Sequence, residues 1–137
     1  SPIETVVLPE YKPEESVLLG KILVAEDHNV NQMVIKQQLK KIGYDCDIVE
    51  NGEKVLEILE KNNYNLILMD CQMPILDGYN TTKKIRKNPK TQDLIIIGLT
   101  AFAMTEDREK CLAAGMNDYL SKPCTIADLQ QAIEQWI

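Results

Sequence analysis

Several features that would assign a chain quickly are missing here. The 137 residues hold one histidine, one tryptophan and one phenylalanine. No apolar run approaches the roughly 20 residues of a membrane span, and nothing resembles a signal peptide. Cys46, Cys71, Cys111 and Cys124 form no Cys-x-x-Cys pair. With a single histidine to help them, that spacing excludes an ordinary zinc site, and the expectation is four reduced thiols acting as small apolar residues of a cytoplasmic protein. The 15 basic residues are scattered among 21 acidic ones, for a formal net charge of −6, and only Lys83-Lys84-Ile85-Arg86-Lys87 is dense. Nucleic acid needs clustered Lys and Arg, so it is excluded as a partner, as is direct membrane contact; the run reads as the solvated side of a helix. A glycine-rich phosphate loop is absent too. The turn Ala25-Glu26-Asp27-His28-Asn29 puts two acids where a dinucleotide's pyrophosphate would sit.

The length suits one domain with a sizeable core plus a short extension. Residues 1–20 hold three prolines and four glutamates without a sustained period, which is linker composition, and another domain is expected upstream. From residue 21 to 137, five strand-like runs alternate with five helix-like ones. Ile22 to Ala25, Leu66 to Met69, Leu94 to Leu99 and Tyr119 to Ser121 read as strands, and Asp45 to Glu50 as a shorter, more polar edge strand. Asn29 is expected to cap a helix that Gly43 stops after about Ile42. Glu53 to Asn62 places Val55, Leu56 and Leu59 on one helical face, and a helix with Tyr79, Thr82, Ile85 and Arg86 ends before Pro89. Thr105 caps the next helix and Gly115 closes it. Thr125-Ile126-Ala127-Asp128 opens the last with a capping box, its Ile126, Leu129, Ile133 and Trp136 sharing a face. Such alternation implies a parallel sheet covered by helices on both sides.

One stretch organises the rest: Leu66-Ile67-Leu68-Met69-Asp70, followed by a loop with Pro74 and Gly78. A buried strand thus delivers a carboxylate to its C-terminal end, where open α/β sheets place their chemistry. Burying that charge costs several kcal/mol unless cations or donors compensate. Candidate partners stand at the other strand ends: Glu26 and Asp27, Thr100, and Lys122. With this set, and with Met69-Asp70-Cys71-Gln72-Met73-Pro74 leading to Asp77-Gly78, the chain resembles the receiver domain of two-component response regulators from about Lys21 to Ile137.

The resemblance implies a flavodoxin-like, doubly wound α/β fold: a five-stranded parallel sheet in the order 2-1-3-4-5, flanked by five helices. It implies Asp70 as phosphoryl acceptor, Lys122 as the cation beside it and Thr100 as a hydroxyl donor to the phosphoryl group. Mg²⁺ is the implied cofactor. Asp27 and Asp70 would be direct ligands, Glu26 would act partly through water, and the Gln72 backbone carbonyl would complete the protein's share, a set of oxygens that suits a hard cation. The Ala101 amide is a further phosphoryl-binding group, and Thr100 with Tyr119 forms the implied switch. Gln72 and Phe102 border the path of the hydrolytic water, with Phe102 shielding the phosphoryl group. Two residues depart from the usual pattern, His28 after the acidic pair and Cys124 after Lys122-Pro123; neither removes a group the chemistry needs.

The function so implied is a phosphoacceptor module of a phosphorelay, fed by a phosphohistidine. Asn31-Gln32 after the acidic pair, and a chain ending soon after its fifth helix, look most like the C-terminal receiver of a hybrid sensor histidine kinase. Expected partners are a histidine kinase or its dimerisation and phosphotransfer domain, and a histidine phosphotransfer protein. The expected location is the cytoplasm, including the cytoplasmic part of a membrane-bound sensor. Such a domain carries out its own phosphorylation and dephosphorylation without being a turnover enzyme alone. Other readings are the receiver of a separate response regulator, or a receiver-shaped interaction module that is never phosphorylated. A phosphohydrolase of the haloacid dehalogenase kind would need a second aspartate where Gln72 stands.

Overall fold

The computed structural model describes residues 20–101 and 105–137, so residues 1–19 of the expected linker and Phe102 lie outside the described residues. Strands and helices alternate as β1 (Gly20–Ala25), α1 (Asn29–Ile42), β2 (Tyr44–Val49), α2 (Gly52–Leu59), β3 (Leu66–Asp70), α3 (Gly78–Lys87), β4 (Ile95–Thr100), α4 (Thr105–Ala114), β5 (Asp118–Ser121) and α5 (Ile126–Trp136). All four strand pairings are parallel and the order is β2-β1-β3-β4-β5, the flavodoxin-like arrangement. Among the described residues, no helix is long and apolar enough to cross a membrane.

Side chains alternate between the two faces of a strand, and each face has its own core. Leu23, Ala25, Ile67, Met69 and Ile96 pack with Val55 and Leu59 of α2, Ile85 of α3 and Cys111 of α4. Ile22, Val24, Leu66, Leu68, Ile97 and Leu99 pack with Ile35 and Leu39 of α1 and Leu129 and Ile133 of α5. Burying each large side chain contributes about 1.5–3 kcal/mol, and cover on both faces is why the central strands are continuous apolar runs.

Local chemistry sets most helix ends. Asn51 Oδ1 accepts from Lys54 N–H at 2.9 Å and Asp77 Oδ1 from Asn80 N–H at 2.8 Å. Thr125 and Asp128 form the reciprocal capping box read from the sequence. Gly43 (φ 118°) and Gly115 (φ 108°) end α1 and α4 in the left-handed region that favours glycine. Several boundaries differ from expectation: β1 begins at Gly20 rather than Ile22, β4 runs one residue later than read, and Thr105 is the first helical residue of α4 rather than its cap. The cap of α1 is His28, one residue early, because the turn is held by Glu26, which accepts the His28 N–H at 3.1 Å and, through its carbonyl, the Gln32 side chain at 2.6 Å. The Asn51 cap starts α2 at Gly52, and tighter turns at Glu60 and Lys61, bonded to Glu57 O and Ile58 O, end it at Leu59. At the edge, β2 has six residues, as many as β1, since Tyr44 already pairs with Gly20.

Arg86, at the end of α3, fastens the sheet edge opposite Asp70. Its guanidinium donates to Gly115 O at 2.8 Å, Gln92 O at 2.9 Å, Leu94 O at 2.6 Å and Asn117 Oδ1 at 2.9 Å. Asn117 Oδ1 also accepts from Ile96 N–H at 2.8 Å, so one side chain joins α3, the start of β4 and the tail of α4.

Candidate functional site

A parallel sheet brings the ends of its strands to one edge, and backbone bonds fix the residues just past them. Glu26 N–H donates to Val49 O at 3.0 Å, Cys71 N–H to Leu99 O at 3.0 Å and Lys122 N–H to Thr100 O at 2.7 Å. The side chains carried there meet. Lys122 Nζ lies 3.1 Å from Glu26 Oε1 and 3.1 Å from Asp70 Oδ2. The remaining oxygens of that pair are held by amides: His28 N–H on Glu26 Oε2 at 3.1 Å and Gln72 N–H on Asp70 Oδ1 at 3.2 Å. Asp27 Oδ1 is buried without a hydrogen-bond partner. Thr100 is buried, Ala101 exposed, and the Lys122–Pro123 peptide is cis.

Three carboxylates are therefore gathered beside one ammonium, which Glu26 and Asp70 share. Burial pushes the Asp70 carboxyl up to about 6, with Glu26 adding to the rise while the Gln72 amide and Lys122 oppose it. Burial also works to lower the Lys122 ammonium, but Asp70 and Glu26 outweigh it and hold the pKa above its ordinary value. One ligand atom from each of Glu26, Asp27 and Asp70 lies within 4.8 Å of the others. Hard oxygen donors, excess negative charge and a partnerless buried oxygen together fit a hard divalent cation such as Mg²⁺.

The loop after Asp70 closes tightly. Gly78 N–H bonds to Cys71 O at 3.1 Å, and a Cβ on Gly78 would overlap the Asp70 carbonyl, so only glycine fits after the Asp77 cap. Leu76 N–H reaches Pro74 O at 2.7 Å across Ile75, whose φ of 72° makes a γ-turn. Ile75 itself points outward, 71% exposed. Gln72 is exposed. Tyr119 is half-buried against the α2, α3 and α4 side of the core, with the Arg108 guanidinium 5.5 Å from its ring centre.

Several relationships had no signal in the sequence. Cys71 and Cys111, scattered along the chain, bring their sulfurs to 3.6 Å in the core. Val30, Met33 and Val34 are exposed apolar residues on α1. A pocket lined by Asn31, Val34, Gln38, Leu99, Lys122 and Cys124 leads from that helix toward the site.

Residues 22–134 match the family described as the response regulator receiver domain. The chain belongs to this family of two-component systems. Its receiver relatives include hybrid signal transduction histidine kinase K of Dictyostelium discoideum, 44% identical over 124 residues, covering 85% of this chain and 10% of that protein. Sensor histidine kinase RcsC of Escherichia coli (strain K12) is 39% identical over 112 residues, covering 82% of this chain and 12% of that protein. The chain thus spans about a tenth of the length of these curated relatives. Among solved structures, the receiver domain of sensor histidine kinase PA1611 from Pseudomonas aeruginosa, with a magnesium ion coordinated in its active site cleft, is 45% identical with a TM-score of 0.80, over 85% of this chain and 96% of that one. The Saccharomyces cerevisiae Ssk1 receiver, crystallised with the histidine phosphotransfer protein Ypd1, is 32% identical with a TM-score of 0.77, over 85% of this chain and 87% of that one.

Proposed function

We propose that this receiver accepts a phosphoryl group from a phosphohistidine onto Asp70. The observation that carries the reading is the Asp70 carboxylate itself, buried at the end of β3 with one oxygen on Lys122 and the other on the Gln72 amide, beside the partnerless Asp27 oxygen. An Asp70 oxygen attacks phosphorus in line; the O–P bond forms as the P–N bond breaks, and the imidazole leaves with the electron pair. Lys122 meets the charge on the phosphoryl oxygens, and the Thr100 hydroxyl and Ala101 N–H each serve another. Glu26 shares Lys122 with Asp70 and so keeps the ammonium at the acceptor before transfer. A divalent cation such as Mg²⁺, held by Asp27, Asp70 and the Gln72 carbonyl with Glu26 partly through water, supplies the remaining neutralisation when bound.

Thr100, drawn to the phosphoryl group, leaves space that Tyr119 takes by turning inward and giving up its Arg108 contact. Gln72 borders the hydrolytic water. The parent protein is a hybrid sensor histidine kinase, a reading supported by the curated relatives. The donor or acceptor helix of a histidine phosphotransfer partner packs on Val30, Met33, Val34 and Ile75, supported by their exposure and by the pocket reaching Lys122. A cytoplasmic setting suits the four free thiols.

The deciding experiment is intact mass after incubation with Mg²⁺ and acetyl phosphate, for the native chain and Asp70→Asn. A gain of roughly 80 Da that needs Mg²⁺ and disappears in the variant supports aspartyl-phosphate chemistry. No gain with this donor or with a phosphohistidine protein returns the molecule to an interaction-only role.

A further inference from the structure

Behind Asp70, on the face of the sheet turned toward α4, three sulfur atoms converge on one glycine. A Cβ built on Gly98 of β4 would stand 2.5 Å from Met116 Sδ, 3.2 Å from Cys111 Sγ and 3.4 Å from Cys71 Sγ. The two thiols are 3.6 Å apart, and all three residues are at most 4% exposed. The backbone explains the meeting. Gly115 N–H bonds to Leu112 O at 3.1 Å and Met116 N–H to Cys111 O at 3.0 Å, the paired bonds of a Schellman ending, which folds the residue after the glycine back onto the helix. That turn sets Met116 beside Cys111, while Cys71, locked to Leu99 O, comes from β3.

We propose that Cys71, Cys111 and Met116 form a binding site for a soft monovalent cation, Cu(I). Two thiolate bonds of about 2.3 Å spanning this sulfur separation subtend about 100°, open enough for a third ligand to complete a trigonal shell. Thiolate and thioether donors select Cu(I), whereas zinc calls for a fourth ligand, and none of the acidic or histidine residues joins this cluster among the described residues. Binding exchanges two thiol protons, released to solvent, for the cation; no electron changes hands, and the centre carries one net negative charge. The site ties β3 to α4 one residue from the phosphoryl acceptor. It does not depend on the phosphoryl chemistry proposed above, so an Asp70→Asn chain binds Cu(I) like the native one.

The test is an anaerobic titration with Cu(I) buffered by bicinchoninate, read by native mass spectrometry and by X-ray absorption at the copper edge. One Cu(I) per chain with a sulfur-only shell is expected. Cys71→Ser and Cys111→Ser each weaken binding at least 100-fold, Met116→Leu about 10-fold, and Cys46→Ser with Cys124→Ser leaves it unchanged. Circular dichroism checks that each variant is folded; the absorption edge of the native chain needs no variant at all. Nitrogen or oxygen in the shell, equal affinity in Cys71→Ser, loss with the Cys46 and Cys124 pair, or displacement by a 100-fold excess of Zn(II) would each overturn the site.

Discussion

Two lysine and carboxylate clusters sit at opposite ends of this sheet with almost the same geometry. Lys21 Nζ lies 3.2 Å from Asp47 Oδ2 and Lys122 Nζ lies 3.1 Å from Asp70 Oδ2. Exposure separates them: 43% and 38% for the first pair, 20% and 5% for the second. At the open end, Tyr64 donates its hydroxyl to Asp47, and that bond, with Lys21, holds the carboxyl below its usual pKa despite some burial. At the closed end, burial and Glu26 raise Asp70 although a lysine is just as near. A lysine at hydrogen-bond distance therefore does not make a site; an excess of buried carboxylates around it does.

The comparison breaks most visibly at the lysines. Lys122→Ala is expected to slow phosphoryl acceptance about 10²–10³-fold, as loss of one preorganised donor does, while Lys21→Ala leaves the rate unchanged and costs at most about 1 kcal/mol of stability. Rates of mass gain and urea unfolding read the two. Saturating Mg²⁺ should stabilise the native chain by about 1–3 kcal/mol, with no such gain in Asp27→Ala, by thermal unfolding with and without a chelator.

The two aspartates should also have opposite pH signatures in metal-free protein. Asp70 binds its proton more tightly folded than unfolded, so its contribution is fully present below about pH 4 and is lost as pH rises through about 6. Asp47 contributes above its unfolded pKa and loses that contribution as pH falls through its depressed folded value. At neutral pH, Asp70→Asn should therefore gain about 1–2 kcal/mol, and Asp47→Asn should lose about 1 kcal/mol or less. Unfolding curves from pH 3 to 7 check both; a shared sign would sink the distinction. The smallest effect is Tyr64→Phe, expected to cost about 0.5 kcal/mol, to raise the Asp47 pKa by NMR titration and to leave phosphoryl acceptance alone.

Much of this architecture was legible in the sequence where the determinant is local. The Thr125 box, Gly43, Gly115 and the apolar run of β3 each act over a few residues and stand where the reading put them, with β1 and β4 within two residues of it. Glu26, Asp70, Thr100 and Lys122 could be gathered because a parallel sheet must bring strand ends to one edge. What escaped is pairing across the chain. Nothing near Cys71 reveals Cys111, 40 residues away, and nothing near Arg86 reveals Gly115 or Asn117. Such contacts depend on which helix covers which strand.

Arg86 has a mechanical consequence. Its guanidinium anchors the tail of α4 at Gly115 to α3 and to the start of β4, on the side of the sheet away from Asp70. A helix pinned at its tail behaves as a lever: a tilt that barely displaces Gly115 carries Thr105, at the other end of α4, through the largest arc. That travelling end follows Thr100 and Ala101 in the chain, so a fulcrum at Arg86 gives small rearrangements beside the acceptor the greatest reach along the outer face of the molecule.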